Sequence, residues 1–263
     1  MTGFHVHILD PHFDAAVDAD KAITAFDALS SGVDFEDVTK GRVGNHLVDV
    51  SEAGVPIVRT TTRYEKPAHC FSAAHHEVVR CIQQAARRNP TLQKVPAFNN
   101  ALIEIYGREY HKMGYHSDQA LDLAEGSFIA LYSCYERPDD RSALRTLKVK
   151  EKTGDEETSI LLEHNSVVLF SLETNTRHLH KIVLEPKPSP NTEAPDNRWL
   201  GLTFRESGTY LRFEDGAARL ANGDLLQLAD EDQRKSFYRM RGQENRDMAF
   251  VYPEVGFTIS AAD

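Results

Sequence analysis

Between residues 98 and 213 the chain alternates short strand-like runs with polar, turn-forming segments. The runs are rich in β-branched and aromatic residues, which favour strands. They are Phe98–Tyr106, Ser127–Tyr135, Leu144–Val149, Ser159–Leu162, Ser166–Phe170, His178–Leu184, Arg198–Arg205 and Tyr210–Phe213. Eight short strands in roughly 115 residues are typical of a double-sheet jelly roll. The sequence therefore predicts a double-stranded β-helix core.

The flanking segments have a different texture. Pro11–Leu29 is rich in Ala and Asp and predicts a helix, and a second predicted helix is capped by Ser72 and runs to Arg88. We expect a mixed α/β, mainly β, fold with N-terminal helices. The 263 residues suit one domain. In it, residues 1–97 give helical support and a substrate lid, 98–213 the core, and 214–263 an extension that packs on it.

Composition restricts the partners. The net charge is -10 and the pI about 5.6, which lowers the expectation of nucleic acid as the main partner. Three cysteines without a CxxC motif indicate neither a disulfide framework nor a zinc knuckle. The sequence has no basic leader and no run of 18 apolar residues, so we expect a cytoplasmic protein without a membrane span.

The sharpest chemical signal is the triplet His116-Ser117-Asp118. On an extended strand, residues i and i+2 point to the same face, so the imidazole and the carboxylate can bind one metal. A third ligand has to come from elsewhere, and His178 and His180 lie on a predicted strand; His164, in a predicted turn, is a weaker candidate. Two histidines and one carboxylate leave three positions open on an octahedral ion, which indicates Fe(II) for oxygen activation.

Four ordered blocks extend this signal over residues 98 to 206. They are Ala101–Tyr106, His116–Asp118, Gly126–Ser127 with Arg177–Ile182 downstream, and Leu202–Arg205. In this order the blocks resemble the AlkB-like branch of the Fe(II)/2-oxoglutarate dioxygenases. The resemblance implies Fe(II), 2-oxoglutarate as co-substrate, and O2. It implies His116, Asp118 and His180 as the metal ligands, with His178 as the alternative to His180.

The resemblance also implies that Tyr106 and Arg205 hold the carboxylates of 2-oxoglutarate. Arginine offers a planar fork to a carboxylate and stays charged when partly buried. The sequence departs from the family pattern at two positions. Trp199 stands where the family has a further arginine, so either Arg198 takes its place through a strand bulge or another residue does its job. Glu104 stands where the family often has asparagine.

Several other groups have plainer interpretations. His75 and His76 are adjacent on the second predicted helix and diverge by 100°, so we expect surface residues rather than a shared metal site. Arg59–Tyr64 is polar and β-prone and is a candidate segment of the substrate lid. Trp199 is expected in the core, and Lys187–Asn197 is a Pro-rich loop.

Four functions fit these features. The favoured one is a hydroxylase of a small molecule, followed by a demethylase of alkylated nucleic acid, which needs a positive groove and an aromatic clamp. Arg59, Arg63, Arg87, Arg88 and Lys94 would supply that groove if they cluster. A protein hydroxylase and a non-catalytic jelly-roll binding module are the remaining alternatives.

Overall fold

The computed structural model describes residues 3–13, 23–185 and 196–263. Its helices are α1 Ala25–Ser30, α2 Ala73–Arg88, α3 Leu172–Arg177 and α4 Glu231–Glu244. Its strands are β1 Phe4–Ile8, β2 Glu36–Thr39, β3 Arg42–Val48, β4 Val55–Pro56, β5 His69–Cys70, β6 Asn100–Tyr106, β7 Phe128–Tyr135, β8 Arg145–Glu151, β9 Glu157–Leu161, β10 Ser166–Ser171, β11 His178–Leu184, β12 Trp199–Arg205, β13 Tyr210–Glu214, β14 Ala217–Arg219, β15 Gln227–Leu228 and β16 Phe257–Thr258.

Two sheets form the core. The larger sheet has the order β1-β10-β7-β12-β6-β3-β2, with β5 parallel to β3, and the smaller sheet has the order β11-β8-β9. Side chains alternate between the faces of each central strand. On β7, Ala130 and Tyr132 pack in the cluster that includes α1 and α2, whereas Ile129 and Leu131 pack in the cluster that includes β8 and β11. The larger sheet is therefore covered on both faces, and its second face closes against the smaller sheet.

This architecture confirms the predicted jelly-roll class. Each predicted strand between residues 98 and 213 has a counterpart from β6 to β13, with ends that differ by at most two residues. However, β13 pairs with β4 and β14 and does not extend either main sheet. The N-terminal segment was predicted to be helical support, but it also contributes β1, β2, β3 and β5 to the larger sheet.

The second predicted helix is confirmed as α2, with Ser72 as its N-cap. His75 takes part in the capping box and its side chain also contacts the Leu29 carbonyl, so the surface interpretation was wrong for His75. His76 is exposed, as predicted. For the helix predicted over Pro11–Leu29, the described residues show only α1, and residues 14–22 lie outside the described part of the chain. Most of the loop predicted over Lys187–Asn197 also lies outside it.

The C-terminal residues form a third small core. Phe237 and Met240 of α4 pack with Val255 and Ile259. Partly buried Leu121, which follows the predicted metal motif, packs against this cluster. The extension therefore packs on the segment that carries the motif. None of the described helices combines the length and the apolar character that crossing a bilayer requires.

Candidate active site

A short backbone ladder holds His116 beside His180. The His116 amide donates to the His180 carbonyl (3.0 Å), and the His180 amide donates to the His116 carbonyl (2.7 Å). The two ring centroids are 4.6 Å apart. His180 lies on β11, an outer strand of the small sheet, where it pairs with Val149 of β8. The loop that carries His116 is therefore fixed to a strand of the core at the position of the second imidazole.

Asp118 completes the group. Its Oδ1 lies 3.7 Å from Nε2 of His180, and the ligand atoms of His116, Asp118 and His180 all lie within 4.8 Å of one another. Asn175 at the end of the short helix α3 fixes the Asp118 backbone, because it accepts from the amide (2.9 Å) and donates to the carbonyl (2.8 Å). Three donors from two separate segments of the chain therefore converge on one point.

The protonation states suit metal binding. Burial, followed by the neighbouring His180, lowers the pKa of His116 to about 4. Burial also lowers the pKa of His180. Burial alone would raise the pKa of Asp118, but Arg205 and the two histidines hold it below its ordinary value. Near neutral pH the group offers two neutral imidazoles and one carboxylate, the forms that coordinate metals.

The donor set fits Fe(II). The Nδ1 atom of His116 lies 3.0 Å from the Gly114 carbonyl, so this nitrogen carries the proton and Nε2 is the free donor. Two imidazoles and one carboxylate on one side of an ion are the arrangement typical of non-haem Fe(II) oxygenases. The alternative histidines lie elsewhere: Nδ1 of His178 is bonded to the Thr174 carbonyl, and Nδ1 of His164 accepts from the Tyr135 amide.

Comparison with known proteins places this geometry in a family. The model of the 2OG-Fe(II) oxygenase superfamily matches residues 18–205. The chain belongs to this superfamily. It is a 2-oxoglutarate-dependent dioxygenase, and Fe(II), 2-oxoglutarate and O2 are its cofactors. The family predicted from the ordered sequence blocks is thereby confirmed.

Solved structures of three oxygenases are similar to this chain at low identity. The structure of OsALKBH1 is 16% identical with a TM-score of 0.42, over 63% of this chain and 78% of its own. A Burkholderia pseudomallei oxidoreductase of the 2OG-Fe(II) oxygenase family is 13% identical, with a TM-score of 0.39, over 68% of this chain and 75% of its own. A Trichoplax adhaerens prolyl hydroxylase in complex with a hypoxia-inducible-factor peptide is 14% identical, with a TM-score of 0.35, over 51% of this chain and 56% of its own. Comparison with curated proteins finds no match.

A cavity of about 330 Å³ opens beside the three donors, between the two sheets of this oxygenase. Its walls include Tyr106 from β6, Leu131 from β7, Phe170 from β10 and Thr203 from β12. The candidate lid also contributes, since Thr60, Thr61 and Thr62 line the cavity. The volume lies at the lower end of the range for ligand sites, about 300–1,000 Å³.

Arg205 occupies the position that the sequence predicted. Its Nε and Nη2 atoms each lie 3.3 Å from Oδ2 of Asp118, and the side chain is buried. Its Nη1 atom is buried and finds no partner among the described residues. Burial and, second, the charge of Arg205 lower the pKa of His46 on β3 to about 3, so His46 stays neutral. The Arg205 guanidinium therefore has an unused donor for an anion beside His116, Asp118 and His180, the metal group.

Arg198 does not reach the cavity. Its guanidinium pairs with Glu136 (2.6 and 2.9 Å) and lies over the ring of Phe26. The predicted bulge is absent, because β12 keeps continuous register with β6 and β7 through Trp199. Trp199 is a core residue, as predicted, and its ring lies against Gly201, where a Cβ atom would come within 2.0 Å of it. The structure therefore places Arg198 outside the cavity that holds the other predicted site residues.

A second arginine of the cavity was missed. Arg42 on β3 pairs with Glu104 through Nε (2.6 Å) and Nη2 (2.5 Å), and Tyr106 donates to the other Glu104 oxygen (2.7 Å). Strand register brings Arg42 opposite Tyr106. Gly44 leaves room for the Glu104 side chain, since a Cβ atom there would lie 3.2 Å from its Cγ. Sequence reasoning missed Arg42 because β3 was not predicted.

The C-terminal helix supports the metal motif from outside. Oδ1 of Asn245, the C-cap of α4, accepts from the Ser117 amide (2.9 Å) and hydroxyl (3.0 Å). Oε1 of Glu244 accepts from the Ala120 amide (2.9 Å). On the other side of the motif, Asp122 pairs with buried Arg59 at 2.7 Å. The residues that flank the motif are therefore held by both the extension and Arg59 of the candidate lid segment.

Proposed function

We propose that this oxygenase hydroxylates a C–H bond of a small molecule at an iron held by His116, Asp118 and His180. The observation that supports the ligand set is the convergence of these three donors within 4.8 Å at the cavity wall. When bound, the iron supplies the activation of O2 that couples decarboxylation of 2-oxoglutarate to oxidation of the substrate. The chain's own residues bind and orient the reactants.

Arg205 and Tyr106 are the proposed co-substrate residues, as the sequence suggested. The unused Nη1 donor of Arg205 supports a role in binding a carboxylate beside the metal group. Arg42 is the further arginine that lines the cavity, and it replaces Arg198 in our proposal. Glu104 holds Arg42 on one side, and the Tyr110 hydroxyl lies 3.5 Å from its Nη1. Residues on β3 and β6 therefore offer the second polar anchor.

A small substrate is favoured over nucleic acid. The cavity of about 330 Å³ has to hold both 2-oxoglutarate and the reacting group, which leaves limited room. Two of the cations named for a nucleic-acid groove are already paired with carboxylates. Arg59 is buried in its pair with Asp122, and Lys94 lies 3.6 Å from Glu206. The net charge of -10 agrees with this preference.

We also propose that residues 1–263 work as one domain. The strands β1 to β3 extend the sheet that carries Tyr106 and Arg205. The extension contributes Asn245 and Glu244 to the support of the metal motif. Both flanking parts therefore support the site, and removal of either should impair it.

The test compares two histidines on one strand. His180→Ala should abolish Fe(II)-dependent succinate formation and also the visible absorption that develops when 2-oxoglutarate chelates the iron without oxygen. His178→Ala is the matched control, since its ring lies against Phe4 rather than in the cavity. It should keep both signals. Equal loss in the two variants would contradict the ligand assignment, and absence of both signals in the wild type would contradict the activity.

A further inference from the structure

The cavity is lined by an arginine that pairs neither with Asp118 of the metal group nor with Glu104, the partner of Arg42. Arg241 lies in the last turn of α4, beyond residues 18–205 that match the family model, and it lines the same cavity as His116. Its side chain is partly buried. Within the described part of the chain, its guanidinium forms no ion pair. A partly desolvated arginine in a concave site is a strong binder of carboxylates and phosphates.

The formal charges of the cavity lining support an anionic ligand. Three arginines and two carboxylates line it. Arg42 is paired with Glu104, and Arg205 with Asp118. Arg241 therefore leaves the lining with a surplus of one positive charge. Fe(II) and 2-oxoglutarate carry opposite charges of two, so loading the site does not change this surplus. A cleft with one sign of charge concentrates ligands of the opposite sign, even on an acidic protein.

The neighbours of Arg241 fix its place at the cavity. Asn245, one turn later, is bonded to Ser117, and Glu244 is bonded to the Ala120 amide. On the preceding turn, the Tyr238 hydroxyl donates to the Thr61 carbonyl (3.1 Å). Hydrogen bonds therefore join α4 both to the metal motif and to residues Thr60–Thr62. Arg241, Thr60 and Thr62 line one cavity.

We infer that Arg241 is a specificity-determining residue, and that the substrate is a small molecule whose carboxylate or phosphate group binds Arg241 while its C–H bond faces the metal group. This inference rests on the proposed function and names the substrate class for it. The iron ligands and the co-substrate arginine belong to the family core, whereas the substrate anchor comes from the extension.

The experiment uses inorganic phosphate as the probe. The full chain is loaded with Mn(II) in place of Fe(II) and with saturating 2-oxoglutarate, so that the co-substrate position is filled. Paramagnetic relaxation of the phosphate 31P signal then reports an anion close to the metal. We expect a saturable enhancement in the wild type and at least a tenfold loss of phosphate affinity in Arg241→Gln. Arg241→Lys should restore part of it.

Arg239→Gln is the matched control, because Arg239 is on the same helix and exposed. The control should keep the enhancement. No saturable enhancement in the wild type, or equal loss in Arg239→Gln and Arg241→Gln, would overturn the inference. Failure of Mn(II) or 2-oxoglutarate to bind the wild type, measured directly by electron paramagnetic resonance and calorimetry, would instead overturn the proposed function and the inference together.

Two competitors define the chemical class. Acetate that displaces phosphate at similar or lower concentration would identify a carboxylate as the preferred group, and failure of acetate to compete would identify a phosphate. Both results support a small anion. A short oligothymidylate that displaces phosphate at micromolar concentration through Arg241 would show a nucleic-acid phosphate as the occupant, and it would overturn the small-molecule assignment.

Discussion

Two groups of polar residues line the same cavity and differ in how the chain builds them. The metal group consists of His116, Asp118 and His180, and two of its members lie within one triplet of the sequence. The Arg42 group consists of Arg42, Glu104 and Tyr106, and it depends on strands β3 and β6 lying side by side. Hydrogen bonds to the backbone hold the first group, whereas ion pairs and hydrogen bonds between side chains hold the second.

This difference has a physical consequence. In the metal group, backbone hydrogen bonds join His116 to His180 of β11, and the Asn175 side chain of α3 holds the Asp118 backbone. Arg42 is held by side chains alone: it pairs with Glu104, contacts the Tyr110 hydroxyl and lies over the rings of Tyr106 and Tyr110. Burial alone would lower the pKa of Arg42, but Glu104 and the neighbouring tyrosines raise it. Changes in one group should therefore leave the other intact.

The largest expected effect is the loss of the metal in Asp118→Asn. An amide oxygen is a weaker ligand than a carboxylate, and Arg205 loses its buried anion, so we expect Fe(II) affinity to fall at least about 100-fold and the free energy of unfolding to fall by about 3 kcal/mol. Equilibrium dialysis and urea unfolding measure these quantities.

Asp122→Asn is the control for this change. It also removes a buried carboxylate from an arginine, but Arg59 and Asp122 do not line the cavity. We expect a similar loss of stability but a loss of Fe(II) affinity of no more than about tenfold, because Asp122 supports the chain next to the motif and is not a ligand. A comparable loss of iron in the control would mean that general destabilisation, and not ligand chemistry, removes the metal.

The second effect concerns the Arg42 group. Arg42→Met should weaken 2-oxoglutarate binding at least about tenfold without changing Fe(II) affinity, and it leaves Glu104 buried without its cation at a cost of about 3 kcal/mol. In Arg42→Met with Glu104→Gln, part of that cost should be recovered, because neither charge remains. Calorimetric titration and a double-mutant cycle in urea measure this. Additive stability losses would show that the two residues do not interact.

A smaller effect is expected from the support of the metal group. Asn175→Ala removes both hydrogen bonds to the Asp118 backbone, and Asn245→Ala removes those to Ser117. Each should weaken Fe(II) binding about tenfold, since residues that orient ligands contribute 10–100-fold to metal affinity. The exposed Asn222 gives the control variant Asn222→Ala. Unchanged iron affinity in both variants would mean that the ladder between His116 and His180 is sufficient.

The smallest effect on function is expected at His75, which lies in neither group. Burial lowers the pKa of His75 to about 4. The folded protein therefore binds fewer protons than the unfolded chain below pH 6.5, and this contribution to stability is present above pH 6.5 and lost as the pH falls towards 4. His75→Gln keeps the capping box and should reduce the acid sensitivity of unfolding by about 3 kcal/mol at pH 4. A pH series of urea midpoints for the two proteins checks this, and identical slopes would contradict it.

The fold class was predictable because the strands of the core are local patterns. The runs from β6 to β12 consist of residues that favour strands, and the turns between them punctuate the pattern. The N-terminal strands were not predicted, since β3 contains Arg42, Gly44 and Asn45 and lacks a regular alternation. Its position next to β6, rather than its own composition, makes it a strand.

The sequence by itself determined the family, through the order of its blocks, and predicted the metal motif, because an i, i+2 pair on extended backbone specifies a ligand geometry locally. Only the tertiary structure decided between His178 and His180 as the neighbour of that pair, since their surroundings and not their spacing differ. The tertiary structure likewise placed Arg198 outside the cavity. It brought in Arg42, which lies 64 residues before Tyr106, and Arg241, which lies 123 residues after Asp118. Contacts between distant segments depend on sheet register and helix packing, which local sequence patterns do not encode.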